Sequence, residues 1–129
     1  MESTSKSALR VQKALQKHGL DQQVLELPHS TRTAHEAAQA VRCDVGQICK
    51  SLVFETVGSG RPILIITSGA NRVNEKLIAD ILGERIRSAS ASDVRDITGF
   101  AIGGVAPVGL KRKLRTYIDR DLLQYDAIW

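Results

Sequence analysis

The sequence predicts an α/β (α+β) domain, and three observations carry that expectation. Segments with helical spacing of apolar residues alternate with β-branched segments, and no internal repeat appears. Ser, Thr, Asn and Gly stand where the helical segments would begin and end, which is where their capping chemistry is useful. Two strand-like runs, Lys50 to Thr56 and Pro62 to Thr67, are divided only by Val57-Gly58-Ser59-Gly60-Arg61, the pattern of a core hairpin. A chain of 129 residues fits one domain whose core needs neither disulfide nor metal.

Taken in order, Leu9, Val11 and Leu15 give Ser7 to Lys17 an amphipathic helix that Gly19 would end. Val24, Leu25 and Leu27 suggest a short strand before Pro28. Thr33 and Glu36 form a T-x-x-E capping box opening a helix through Val41, and Asp44 can cap one further turn. After the hairpin, Asn74 can cap a helix through Leu82 that stops at Gly83, and Ser92 a turn ending near Gly99. Arg115 to Ile118 is a candidate strand and Asp121 to Tyr125 a short helical turn. Ile128 and Trp129 are large apolar residues at a terminus where polar composition is usual, so the expectation is a domain lacking its C-terminal part, with an exposed Trp129 as the sign.

Composition excludes several classes. Eighteen basic against fourteen acidic residues give a net charge of +4, a modest excess whose placement matters more than its size. Cys43 and Cys49 are the only cysteines and lack zinc-site spacing; the opening residues lack the regions of a secretory leader, and the expected compartment is a reducing cytosol. His18, His29 and His35 are scattered without a metal-ligand pattern. The longest apolar run, around Ile63 to Ile66, is far too short to span a bilayer.

Chemistry concentrates between Thr98 and Leu114, TGFAIGGVAPVGLKRKL. Four of the ten glycines, Gly99, Gly103, Gly104 and Gly109, fall within eleven residues around Pro107. Bare backbone of this kind can turn through positive φ and bring N–H groups to an anion or a polarised carbonyl. A pair of ordinary tight turns is the competing reading. Lys111, Arg112, Lys113 and Arg115 follow at once, a cationic strip suited to phosphates or, more blandly, a solvated basic turn.

Lys50 is the second chemical feature. Period-two alternation places it on the face of Leu52 and Phe54, opposite Ser51, Val53 and Glu55. Its ammonium either snorkels to water from the strand end or points into a ligand cleft, where it would hold a polar group. Ser51 faces away and has no histidine or acid at a spacing that marks a base, which argues against a serine hydrolase.

The segments Lys50-Ser51-Leu52-Val53-Phe54 and T-G-x-x-x-G-G-x-x-P-x-G, here Thr98 to Gly109, together resemble the YbaK/ProX family of trans-editing aminoacyl-tRNA deacylases, relatives of the editing domain of bacterial prolyl-tRNA synthetases. The resemblance runs from about Leu15 to the end of the chain. It implies a single domain over 1–129 with a mixed, barrel-like sheet flanked by helices, and a water-mediated hydrolysis without cofactor or metal. The substrate implied is the ester of a mischarged tRNA, commonly tRNA for proline carrying a small wrong amino acid. In this resemblance Lys50 matches the family's activity-bearing lysine, and Thr98, Gly103, Gly104 and Pro107 lie in the substrate-holding loop. His29, Thr31 and Thr33 fall in the segment that contributes to the pocket wall, and Lys111, Arg112, Lys113 and Arg115 would seat tRNA phosphates. Ser68, in the Ser68-Gly69-Ala70-Asn71-Arg72 turn, is a candidate liner of the amino-acid pocket, against a plain strand-to-helix connection. Expected partners are aminoacyl-tRNA and prolyl-tRNA synthetase, with no membrane. Two other classes stay open: a non-catalytic tRNA- or synthetase-binding module, and a small-anion binder, which lacks a Walker sequence.

Overall fold

The structure is a computed structural model that describes residues 5–27 and 33–129. His29 and Thr31 lie outside the described residues. Four α-helices and four strands follow one another as α1 (Lys6–Lys17), α2 (Ala34–Val41), β1 (Cys49–Thr56), β2 (Pro62–Ser68), α3 (Glu75–Leu82), β3 (Ile86–Ser88), α4 (Ala91–Thr98) and β4 (Arg115–Ile118). Two 3-10 turns, Val45–Gln47 and Arg120–Gln124, precede β1 and follow β4.

The helices begin and end where local chemistry dictates. Thr33 Oγ1 accepts from Glu36 N at 3.1 Å and Asn74 Oδ1 from Leu77 N at 3.0 Å, each satisfying an otherwise unpaired first-turn donor. Gly83 and Gly99 close α3 and α4 in the left-handed region, at φ of 77° and 81°, which a side chain would resist. The cap of α4 is Ser90, whose Oγ accepts from Asp93 N at 3.1 Å. Ser92, the expected cap, sits inside the helix because the turn starts one residue after Ala89 is locked to β1 by its N–H to Val53 O at 3.1 Å.

The sheet order is β3-β1-β2-β4. β1 and β2 form the expected antiparallel hairpin with Lys50 opposite Thr67 and Phe54 opposite Ile63. β4 joins β2 in parallel and β3 joins β1 antiparallel, so the sheet is mixed. It is an open sheet, unlike the barrel-like closure expected. The two edge strands, of three and four residues, lie at opposite ends, and among the described residues no strand bonds one to the other. β3 was not anticipated, since three residues reading Ile-Arg-Ser carry no usable alternation. The strand expected at Val24 to Leu27 is absent. Gln12 of α1 takes that backbone, donating to Gln22 O at 2.9 Å and accepting from Val24 N at 2.8 Å, and lays the segment along the helix.

Both faces of the sheet are covered. On one, Phe54, Ile63 and Ile65 pack with Ile78 of α3 and with Leu52, Val73 and Tyr117. On the other, Val53 and Leu64 pack with Ala89, with Val94 of α4 and with Val105, Leu110 and Leu114 of the glycine-rich stretch. Trp129 is half exposed; its backbone pairs with the entry to β1, donating to Gln47 O at 2.8 Å and accepting from Cys49 N at 2.6 Å.

Candidate active site

Lys50 is the second residue of β1 and stands on the α3 face, as alternation predicts, partly exposed. Its Nζ donates to Asn71 O at 3.2 Å. The ion pairs among the described residues are Arg61–Glu84 and Arg87–Glu55, so Lys50 has no carboxylate neutralising it there. Asn71 also lines a cleft of about 630 Å³ that takes in Thr67, Arg72, Tyr117, Asp119 and Asp121. The Tyr117 hydroxyl in that cleft is buried with no hydrogen-bond partner among the described residues, a polar group left free for something else.

The turn carrying Asn71 is held by Asp119, which sequence reasoning missed. Asp119 Oδ2 accepts from Ser68 N at 3.0 Å, from Asn71 Nδ2 at 2.9 Å and from Thr67 Oγ1 at 3.2 Å, and Oδ1 accepts from Asp121 N at 2.9 Å. Burial pushes its carboxyl up, but these donors, Asn71 foremost, outweigh burial and hold it below the usual range. A carboxylate so occupied is a structural anchor for the Lys50 side of the cleft.

The glycine loop reaches the opposite face. Gly103 and Ile102 border a small cavity of about 100 Å³ with Ser51, Val53, Ser88 and Val94. Gly103 has φ of 82° and open space where a Cβ would stand; Gly104 and Pro107 are exposed. The structure thus puts Lys50 and the loop on the two sides of β1. Between them lies the edge of β1 that faces away from β2. β3 pairs only with Phe54, Glu55 and Thr56, and the β1 ladder to β2 leaves the Ser51 backbone directed to that uncovered edge.

The loop is pinned by Arg10 of α1, a residue with no sequence signal. Arg10 Nε donates to Gly109 O at 2.6 Å, and its guanidinium lies 5.1 Å from the Phe100 ring centroid. A Cβ on Gly99 would collide with that guanidinium, so one arginine holds both ends of the loop. Lys111, Arg112, Lys113 and Arg115 are all exposed, and Arg115 stacks 5.8 Å from the Tyr117 ring centroid.

Other expected residues serve the fold. Thr98 is wholly buried, its Oγ1 donating to Val94 O at 2.6 Å and accepting from Phe100 N at 3.0 Å. Ser68 is likewise buried, donating to Gly46 O at 2.7 Å and accepting from Ala70 N at 3.2 Å. Thr33 is exposed as the α2 cap. Burial raises the Cys49 thiol, and burial with the Asp44 charge raises Cys43, so neither is primed as a thiolate. Among the described residues His, Cys, Asp and Glu do not gather in threes at metal-holding range, and no helix is long and apolar enough to cross a membrane.

A crystal structure provisionally described as a trans-editing enzyme for prolyl tRNA synthetase is 50% identical with a TM-score of 0.93, covering 98% of this chain and 80% of that one. The protein YwhH of Bacillus subtilis, named as uncharacterized, is 31% identical over 106 residues, 82% of this chain and 67% of YwhH. EbsC of Enterococcus faecalis, provisionally named a Cys-tRNA(Pro)/Cys-tRNA(Cys) deacylase, is 30% identical over 98 residues, 74% of this chain. The chain spans 58% of the length of EbsC. Residues 29–129, which hold Lys50, the open edge of β1 and the whole glycine loop, match the aminoacyl-tRNA editing domain, and the chain belongs to that family.

Proposed function

We propose that this chain is a trans-editing aminoacyl-tRNA deacylase that hydrolyses the ester of a mischarged tRNA, with tRNA for proline carrying a small wrong amino acid as its substrate. The observation that carries the reading is the Lys50 ammonium, which meets the carbonyl of the cleft-lining Asn71 and has no carboxylate partner among the described residues, next to the uncovered Ser51 edge, in a chain of the editing-domain family. The aminoacyl end lies across that edge. Lys50 holds the substrate's polar end, and backbone around Gly103, Gly104 and Pro107 cradles the terminal adenosine from the other face. In this reading the nucleophile is a water and no metal takes part; Ser68 is spent on Gly46 O, burial raises the Cys49 thiol, and Ser51 has no histidine or acid at a spacing that marks a base. The Lys111, Arg112, Lys113 and Arg115 strip seats phosphates of the acceptor arm.

Preference for tRNA for proline is supported by the names of two relatives, which refer to prolyl-tRNA synthetase and to Cys-tRNA(Pro). An editing site of this kind selects by size, because one methylene separates substrates by only about 1–3 kcal/mol and a synthetase needs a second sieve. Association with prolyl-tRNA synthetase belongs to the same proposal. The test is a panel of alanyl-, cysteinyl-, seryl- and 2-aminobutyryl-tRNA for proline, scored for ester loss above the buffer rate. Hydrolysis of at least one small aminoacyl ester is expected; a whole panel stable at the buffer rate would leave only a binding module.

A further inference from the structure

We propose that α1, which lies outside the residues matched by the editing-domain family, extends the tRNA-binding surface as a second row of cations. The helix reads KSALRVQKALQK, with Lys6, Arg10, Lys13 and Lys17 and no acid. Steps of four, three and four residues keep all four on one stripe about 60° wide and about 16 Å long. Lys6, Lys13 and Lys17 are exposed, and none of the four joins an ion pair among the described residues.

The stripe does not stand alone. Arg10 Nε on Gly109 O, and Gly109 packed against Arg10 and Ala14, dock this side of the helix beside the stretch that runs on to Lys111, Arg112, Lys113 and Arg115. Two rows of cations therefore meet at the root of the glycine loop. An extended polyanion is the ligand that uses two such rows at once, and the partner is RNA backbone. A basic helix can also lie on an anionic membrane, but that needs its apolar face. Here Ala8 is buried and Val11 and Leu15 are partly covered on the inner side of α1, so that face is spent on the fold.

The inference rests on the deacylase reading for the identity of the RNA, and its test reads binding without hydrolysis. Uncharged tRNA is titrated against the whole chain and against the Lys6→Gln, Lys13→Gln, Lys17→Gln variant over a range of salt, with melting followed alongside. Lysine and glutamine have similar helix propensities, so the helix is retained. The expected result is binding weakened about tenfold at moderate salt and a plot of log K against log salt shallower by about 2 to 3. Should the triple variant unfold, Lys13→Gln and Lys17→Gln taken singly are each expected to remove about 0.7 to 0.9 from the slope. A folded variant with an unchanged slope overturns the proposal. So does a chain that binds phosphatidylserine vesicles through these lysines while its RNA slope stays the same. Failure of the deacylase reading is a different result: the unmodified chain cleaves no ester, whatever the slope.

Discussion

Thr98 illustrates how a residue inside a functional-looking motif can be committed to structure. Its hydroxyl both donates to Val94 O and accepts from Phe100 N in a fully buried position, tying the end of α4 to the start of the glycine loop. Thr98→Val keeps the shape but strands the Phe100 N–H, and a loss of about 1–3 kcal/mol in chemical denaturation is expected. Thr98→Ser, which keeps the hydroxyl, should lose less. Lys50 was legible in sequence because alternation alone fixes its face, and its lack of a carboxylate partner among the described residues is what the structure adds. Arg10 and Asp119 were not legible. Their partners stand 99 residues away for Gly109 and 48 to 52 away for Asn71, Ser68 and Thr67, and no local pattern encodes such contacts.

At the scale of elements, the helix caps and the hairpin follow from neighbours within a few residues, which is why Thr33, Asn74, Gly83 and the Val57–Arg61 turn were readable. β3 and the path of Val24 to Leu27 depend on what lies across the fold, and sequence pattern could not supply them. Two predictions belong here. Gly99→Ala combines left-handed strain with a collision against the Arg10 guanidinium, and it should lower stability by at least about 1 kcal/mol. It should also raise KM for aminoacyl-tRNA, because the loop loses its clasp; an unchanged KM in a folded variant would deny Arg10 that role. The second concerns the turn after β2. The Asp119 carboxyl titrates below its ordinary value, so its contribution is complete above the unfolded value of about 3.9 and is lost as pH falls through that value toward the depressed one. Asp119→Asn should therefore lower Tm more at pH 7 than near pH 3. Equal losses at both pH values would mean that the charge does not matter.

Across the whole molecule, a thin mixed sheet carries a cation on one face and a glycine loop on the other, and the β1 edge at Ser51, beyond the reach of β3, lies between them; in the proposed reading a substrate touches both there. In the proposed reading, the cationic strip after the loop orients the rest of the polyanionic substrate. Neutralising Lys111, Arg112 and Lys113 together should weaken tRNA binding and make its salt dependence shallower by about 2 to 3 in log–log slope, and an unchanged slope would remove the strip from the interface. The deacylase reading turns on Lys50, and single-turnover deacylation of alanyl- and cysteinyl-tRNA for proline isolates its part. Hydrolysis by the unmodified chain is expected, with a loss of about 10²-fold or more for Lys50→Ala in a protein that melts normally. Equal rates for the two proteins would contradict it.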